Sequence, residues 1–173
     1  HVVRDKINWK LDLSEGIDLS IFLFGNFENE LILMIEKLSN KKDFDIIDIG
    51  ANIGVHTLQF AKNYEKAKIY SIEPTAFAYE KLKKNVDLNL DLKDRVHLFQ
   101  TFISNKILPE KIFSSWNLSS NESKHKLHGG IAKSTNGTSL ISLDKFILQN
   151  SISKNLIITI LSGLLIFWGV TFI

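Results

Sequence analysis

Apolar and polar residues follow two distinct periodicities along the chain, and these predict its secondary structure. The stretch "WKLDL" at residues 9–13 alternates like a short edge strand, and the apolar residues between Phe27 and Leu38 fall on one helical face. Three largely apolar stretches, "FDIIDIG", "AKIYSIEP" and "RVHLFQTFIS", predict strands. Between them, "GVHTLQFAKNY" and "AFAYEKLKKNVDLN" predict helices. This βαβαβ order predicts an α/β fold with a doubly wound parallel sheet.

The C-terminal third of the chain departs from this alternation. Residues 114–138 are rich in Ser, Asn, Lys and Gly and predict a long loop, and "SLDKFILQN" then predicts a short helix starting near Ser142 or Asp144. From Asn155 to the end there is no charged residue, and a helix of that length could span a thin bilayer core. We therefore expect an N-terminal hairpin and helix cap at 1–40, an α/β domain at 41–154 and an aberrant hydrophobic tail at 155–173.

Composition narrows the class of protein only slightly. The chain has 173 residues, enough for one domain with a core, and its net charge of +2 gives no reason to expect a nucleic-acid partner. The absence of cysteine fits a reducing, cytoplasmic compartment, and the start at His1 suggests a fragment. His125 and His128 have the spacing of metal ligands on a helix, but they lie in the predicted loop without an accompanying carboxylate pattern, so we expect no metal site.

The stretch "DIGANIG" ends the first central strand at the edge where parallel α/β sheets bind ligands. Gly50 allows a sharp turn through positive φ, and Gly54 is expected to let the next helix pack close to the strand. A dinucleotide site favours glycine where Asn52 stands, because a side chain there crowds a pyrophosphate. Asp48 adds a negative charge that suits a cation or an amine. The pattern therefore favours a ligand without phosphates and disfavours an NAD-dependent oxidoreductase.

A second candidate residue, Glu73, ends the next predicted strand. It follows the glycine turn by about 20 residues, the spacing at which an acid reaches a ribose diol. A carboxylate can accept hydrogen bonds from two hydroxyls at once, and such charge-assisted bonds are the stronger kind. A ribose, an amine and no phosphate together describe S-adenosylmethionine. Either feature alone would be compatible with a purely structural role, whereas their combination in a strand–turn–helix–strand context indicates a ligand site.

Several stretches resemble the FkbM family of S-adenosylmethionine-dependent methyltransferases. These are "DIGANIGVHTLQFAK", "IYSIEP" and "YEKLKKNVDLN", together with "WKLDLSEGIDLSIFLFGNFENE" and "GTSLISLDKFI", so the resemblance runs from about Trp9 to about Lys154. It implies a class I methyltransferase, Rossmann-like fold that is incomplete at the C-terminus of this chain. It also implies O-methylation of a hydroxyl acceptor, either a small molecule such as a sugar or secondary metabolite, or a glycan.

The resemblance also implies roles for individual residues. Asn85 and Asn89 match the family's asparagine pattern after the second helix, and we expect them to cap that helix. His56 is a candidate from its position alone, because it opens the first helix beside the glycine turn, where it could touch a substrate. The implied cofactor-binding residues are Asp48, Gly50, Ala51, Asn52 and Gly54 around the methionine moiety, Glu73 at the ribose, and Thr101 and Phe102 at the adenine ring.

The resemblance breaks after "LDKFI". Family members continue with a strand resembling "FIKIDVDG", where this chain has "LIITILSG", so that Ile160 and Ser162 stand in place of two acids and no catalytic residue can be assigned. Three interpretations remain open: a truncated or frame-shifted copy, which the abrupt break favours, a membrane anchor over Leu156–Ile173, and a strand that completes the sheet. We accordingly expect little activity from this chain, and a remnant that only binds S-adenosylmethionine is the alternative.

Overall fold

The computed structural model describes residues 1–25, 30–38, 43–105, 113–114, 132–133, 138–152 and 156–160. In chain order, its elements are β1 (Val2–Arg4), β2 (Ile7–Trp9), α1 (Gly16–Phe24), α2 (Glu30–Leu38), β3 (Asp45–Ile49), α3 (Val55–Asn63), β4 (Ile69–Ile72), α4 (Ala76–Asp87), a 3-10 helix (Lys93–Arg95), β5 (Val96–Phe99), β6 (Thr101–Ile103), β7 (Phe113–Ser114), β8 (Ala132–Lys133), β9 (Ser139–Ile141), α5 (Leu143–Gln149) and β10 (Leu156–Ile160).

Four parallel strands form the central sheet in the order β10-β3-β4-β5. The chain moves outward from β3 through β4 to β5, and then returns to add β10 on the other side of β3. The direction of winding therefore reverses between β3 and β10, which makes the carboxyl ends of these two strands a topological switch point. The Rossmann-like, doubly wound parallel sheet expected from the sequence is confirmed.

Helices pack against both faces of this sheet. Ile46 of β3 belongs to a buried cluster with Leu58 of α3 and Leu82 of α4. Its neighbour Ile47 belongs to a second cluster, which includes Phe146 of α5. Because successive side chains of a strand point to opposite faces, apolar residues must occupy consecutive positions of β3, and the stretch "DIIDI" shows little apolar–polar alternation for that reason.

The N-terminal hairpin and the first two helices belong to the same core as α3 and α4. Strands β1 and β2 pair antiparallel, and Ile7 and Trp9 of β2 lie in one buried cluster with Ile21 of α1 and Ile35 of α2. The strand predicted for residues 9–13 is wrong beyond Trp9. The backbone N–H of Lys10 donates to a side chain of α4 instead of to a partner strand, so the β-ladder ends there.

The third strand of the βαβαβ unit is shorter than predicted. It was expected over the whole of "RVHLFQTFIS", but β5 ends at Phe99, where it pairs with Ile72, the last residue of β4. Beyond that point β4 offers no further partner. The chain therefore leaves the sheet, and β6 pairs in parallel with β9 instead.

The C-terminal segment contributes a strand to the sheet. Leu156–Ile160 forms β10, which pairs with β3 along the full length of both strands. Of the three interpretations of this segment, the strand is therefore confirmed for residues 156–160. Residues 161–173, for which the frame-shift and anchor interpretations remain predictions, lie outside the described residues, as do His125 and His128. Within the described ranges, no helix combines the length and the apolar character needed to cross a bilayer.

Candidate functional site

The turn between β3 and α3 lies at the switch point and has an unusual backbone. Gly50, Asn52 and Gly54 all have positive φ angles, of 81°, 50° and 93°. The N–H groups of Gly50 and Ala51 both donate to the carbonyl oxygen of Ile72, at 2.8 and 3.0 Å, and so bind the turn to the end of β4. Positive φ at Gly50, as predicted, is what allows the chain to reverse directly after the strand.

Gly54 has a different packing role from the one predicted. A Cβ atom at this position would lie 2.6 Å from Cδ1 of Leu82, which belongs to α4. We expected Gly54 to allow close contact between its own helix and the strand. The structure instead shows that a missing side chain at Gly54 lets α4 approach the glycine turn. This contact brings the two βα units of the site together.

Glu73 joins the two βα turns of the site through its carboxylate. Its side chain is only 6% exposed, and its Oε2 accepts a hydrogen bond from the N–H of Asn52 at 3.0 Å. Its Oε1 accepts from the N–H and the hydroxyl of Thr75, at 2.9 and 2.6 Å. Burial raises the pKa of Glu73, while the hydrogen bonds from Thr75 and Asn52 oppose that rise. Because an ionised carboxylate offers about four acceptor positions, these three bonds leave capacity for a ligand hydroxyl.

Asp48 lies beneath the glycine turn and not on its outer surface. Its side chain is fully buried, and its Oδ2 accepts a hydrogen bond from Thr57 Oγ1 of α3 at 2.6 Å. The same hydroxyl is 2.9 Å from Oγ of Ser71 in β4. In this geometry Asp48 supports the turn by joining β3, α3 and β4, and its contact with a methionine moiety remains a prediction.

Thr101 and Phe102 lie at the start of β6, just beyond the end of β5. The Thr101 hydroxyl donates to the carbonyl oxygen of Ser139 at 2.8 Å, and this bond supports the pairing of β6 with β9. The N–H of Glu73 donates to the carbonyl oxygen of Phe99 at 3.0 Å, so Glu73 and the segment leading into β6 are neighbours. The arrangement brings both residues to the same edge as Glu73, and their contact with an adenine ring remains a prediction.

His56 does not lie on an open surface of the site. It is the second residue of α3, is buried, and stacks on Phe60 with the ring centroids 6.0 Å apart. Burial lowers the pKa of His56 from 6.5 to about 4, so the imidazole is neutral at physiological pH. The prediction that this side chain could touch a substrate does not fit its burial.

Three polar residues that support the predicted ones were not foreseen from the sequence. Thr57 donates to Asp48, Ser71 bonds to the same Thr57 hydroxyl, and Thr75 donates to Glu73. Thr75 directly precedes α4, and a threonine at that position is the usual signal for a helix N-cap. Its hydroxyl bonds to Glu73 instead, which could have been suspected only from the spacing of the two residues.

A small pocket opens beside the glycine turn. It has room for about one water molecule, at about 10 Å³, and is lined by Asn52, Phe77 and the ion pair of Asp18 with Lys81, together with Glu15. The Lys81 Nζ lies 2.9 Å from Asp18 Oδ1 and so connects α1 to α4 next to the turn. Within the described part of the chain, no group of three or more potential metal ligands is assembled.

The fold and the position of the glycine turn define a Rossmann-like α/β protein with a candidate ligand site at the switch point of its sheet. No family model matches the chain. The methyltransferase sdnD of Sordaria araneosa is 43% identical to it over 44 residues, which amount to 25% of this chain and 17% of that relative. The chain therefore matches less than a fifth of that relative's length.

Two solved structures show a loose likeness in fold. TYW2 of P. horikoshii, in complex with MeSAdo, has a TM-score of 0.40 and 24% identity, and the match covers 63% of this chain and 37% of that one. The N-terminal domain of human METTL16 has a TM-score of 0.43 and 19% identity, and covers 62% of this chain and 42% of the other.

Proposed function

We propose that this chain is part of an S-adenosylmethionine-dependent methyltransferase, with the cofactor bound across the glycine turn and its ribose at Glu73. The observation that carries the proposal is the buried Glu73 carboxylate at the carboxyl end of β4, hydrogen-bonded to Asn52 of the glycine turn. Ligands of doubly wound sheets bind at this edge, beside the switch point. Asn52 occupies the position where a dinucleotide site would favour glycine, which supports a ligand without a pyrophosphate.

The acceptor in this proposal is a hydroxyl on a sugar, a glycan or a secondary metabolite, as the resemblance to the FkbM family suggests. Methyl transfer from a sulfonium to a hydroxyl is an in-line displacement, so the protein contributes mainly by holding donor and acceptor in line. The residues of this chain bind and orient the donor. Ile160, where the resembling family has an acid, ends β10 beside Ile49, directly before the glycine turn, so this position supplies no acid to activate the hydroxyl.

Calorimetric titration with S-adenosylmethionine, its demethylated product and NAD tests the proposal. Glu73→Gln removes the charge and turns one acceptor oxygen into an NH2 group that faces the N–H of Asn52 or of Thr75. It should weaken binding at least roughly ten- to a hundredfold, because a hydrogen bond to a charged group is worth about 1.5–3 kcal/mol. Glu80→Gln, at an exposed position of α4, makes the same change in charge away from the site and should bind normally. Binding of NAD in preference to S-adenosylmethionine would refute the proposed function.

The pH dependence of the same titration separates the role of the charge from that of the side-chain shape. A ribose hydroxyl donates to the ionised carboxylate in this proposal, and burial raises the pKa of Glu73 above its ordinary value of 4.5. As the pH falls, Glu73 should therefore take up its proton at a higher pH than an ordinary glutamate does. The affinity should begin to decrease at that higher pH. The Glu73→Gln variant should show no such decrease. A parallel loss of affinity in both proteins would assign the titration to another group.

A further inference from the structure

Two buried asparagines, Asn85 in α4 and Asn89 just beyond its end, bind the N-terminal hairpin through its backbone. Asn89 accepts a hydrogen bond from the N–H of Asn8 at 2.8 Å and donates to the carbonyl oxygen of the same residue at 2.9 Å. Asn85 accepts from the N–H of Lys10 at 2.8 Å. Asn85 and Asn89 are four residues apart, in the last turn of α4 and just beyond its end, and Asn8 and Lys10 are two residues apart, in β2 and directly after it. The two side-chain amides therefore satisfy backbone hydrogen-bonding groups of the hairpin that a neighbouring strand would otherwise satisfy.

The two asparagines differ in their remaining hydrogen bond. Asn89 Nδ2 also donates to the carbonyl oxygen of Asn85 near the end of α4, at 2.7 Å, which is the helix-capping role expected from the sequence. Asn85 Nδ2 instead donates to the carbonyl oxygen of Ile53, in the glycine turn, at 2.9 Å. Asn85 is therefore bonded to the hairpin and to the candidate cofactor site at the same time.

The glycine turn needs such external bonds to keep its shape. Asn52 has a φ of 50° and Gly54 a φ of 93°, and a non-glycine residue in the left-handed region persists only where its surroundings hold it there. The Asn52 N–H donates to Glu73, and the Ile53 carbonyl, on the following residue, accepts from Asn85. The bond from Asn85 thus acts on the peptide unit between Ile53 and Gly54, two units after the one whose N–H faces Glu73.

We propose that Asn85 is a positioning residue for the cofactor site, which holds the glycine turn in the conformation that presents the Asn52 N–H to Glu73 and couples this turn to the N-terminal hairpin. The part concerning cofactor affinity rests on the proposed function. The part concerning the turn rests only on the hydrogen bonds of Asn85. The experiment accordingly has one arm for each part, and Asn89, a second buried asparagine that binds the hairpin, supplies a matched control.

The first arm measures amide hydrogen exchange in Asn85→Ala and Asn89→Ala. Both variants remove a buried amide that binds the hairpin, so exchange should rise over residues 8–10 in both. Exchange over residues 50–54 should rise about tenfold or more in Asn85→Ala and stay near the wild-type rate in Asn89→Ala. Equal exchange of the turn in the two variants would overturn the inference. If Asn85→Ala does not fold, Asn85→Asp decides the question, because it retains an acceptor for Lys10 and removes the donor to Ile53.

The second arm measures affinity for S-adenosylmethionine in the same proteins. Loss of one buried hydrogen bond that orders the site should weaken binding about tenfold in Asn85→Ala, with little change in Asn89→Ala. If the wild type binds and the two variants lose affinity equally, the positioning role is refuted while the proposed function stands. If the wild type does not bind, the proposed function fails, and the exchange arm still decides whether Asn85 holds the turn.

Discussion

Replacing Gly54 with alanine tests the contact that joins the two βα units of the site. The added methyl group would lie 2.6 Å from Leu82 Cδ1, far inside van der Waals contact. The backbone φ of 93° is also one that residues with a side chain rarely adopt. The Leu82 side chain is fully buried and has little freedom to move away. The substitution therefore combines backbone strain with overpacking.

The two contributions can be estimated separately. A left-handed backbone costs an L-residue about 1–2 kcal/mol, and overpacking a buried contact costs about 1–3 kcal/mol more. We therefore expect Gly54→Ala to lower the free energy of unfolding by about 2–5 kcal/mol. That is a large part of the 5–15 kcal/mol that is typical of a whole protein, so the variant will be marginal.

Other glycines of the chain separate these terms experimentally. Gly25 has a φ of 80° with its nearest neighbouring atom, Arg4 Cδ, at 3.9 Å, so Gly25→Ala should show the backbone term alone. Gly16, with no atom within 4 Å and no positive φ, should tolerate alanine at little cost. Adding Leu82→Val to Gly54→Ala shortens the opposing side chain and should recover part of the overpacking term.

Urea unfolding followed by circular dichroism measures all of these variants on one scale. The expected order of destabilisation is Gly54→Ala, then Gly25→Ala, then Gly16→Ala. A favourable coupling of about 1 kcal/mol or more is expected between Gly54→Ala and Leu82→Val. If Gly54→Ala is no worse than Gly25→Ala, or if the changes at Gly54 and Leu82 are additive, the close approach of α4 to the turn is not as described.

Two further predictions concern buried ionisable groups. His56 is neutral in the fold, with its pKa lowered from 6.5 to about 4, so the unfolded chain binds a proton first as the pH falls. The free energy of unfolding should therefore decrease by up to about 3 kcal/mol as the pH falls from 6.5 to about 4. His56→Gln should lack this pH-dependent loss of stability. His97→Gln, at an exposed position, should still show it. Lys81→Met should destabilise by about 3–5 kcal/mol, because it leaves the buried Asp18 carboxylate without its cation. Adding Asp18→Asn should restore part of that loss in thermal unfolding, and purely additive effects would contradict the ion pair.

The local part of the site was predictable from the sequence because it depends on short spacings. Ile46 and Ile47 are adjacent apolar residues that predict a strand covered on both faces, and Gly50 follows directly as the residue that can adopt positive φ. The position of Glu73 at the end of the next strand follows from the same alternation. Each of these features lies within one βαβ unit, in which the connection brings the carboxyl ends of neighbouring strands to one edge.

Other features could not be read from the sequence, because they depend on which elements become neighbours. The stretch from Val96 to Ile103 has a uniform strand pattern, yet it divides where β4 ends and its partner is lost. The segment Leu156–Ile160 has a composition that suits a strand or a membrane helix, and pairing with β3 decides the outcome for those residues. Apolar residues favour burial in either setting, so composition alone does not distinguish them.

The sequence by itself determined the order of strands and helices from β3 to α4, the glycine turn and the acid that ends β4, because periodicity and backbone preferences act over a few residues. Tertiary structure alone decided how those parts are held. Asn85 bonds to Lys10, 75 positions away in the chain. The missing side chain at Gly54 leaves room for Leu82, a residue of a different helix. A buried polar group must find a hydrogen-bond partner wherever the fold supplies one, and a missing Cβ matters only where another element comes close. Both are properties of the folded chain, set by contacts between residues that the sequence keeps far apart.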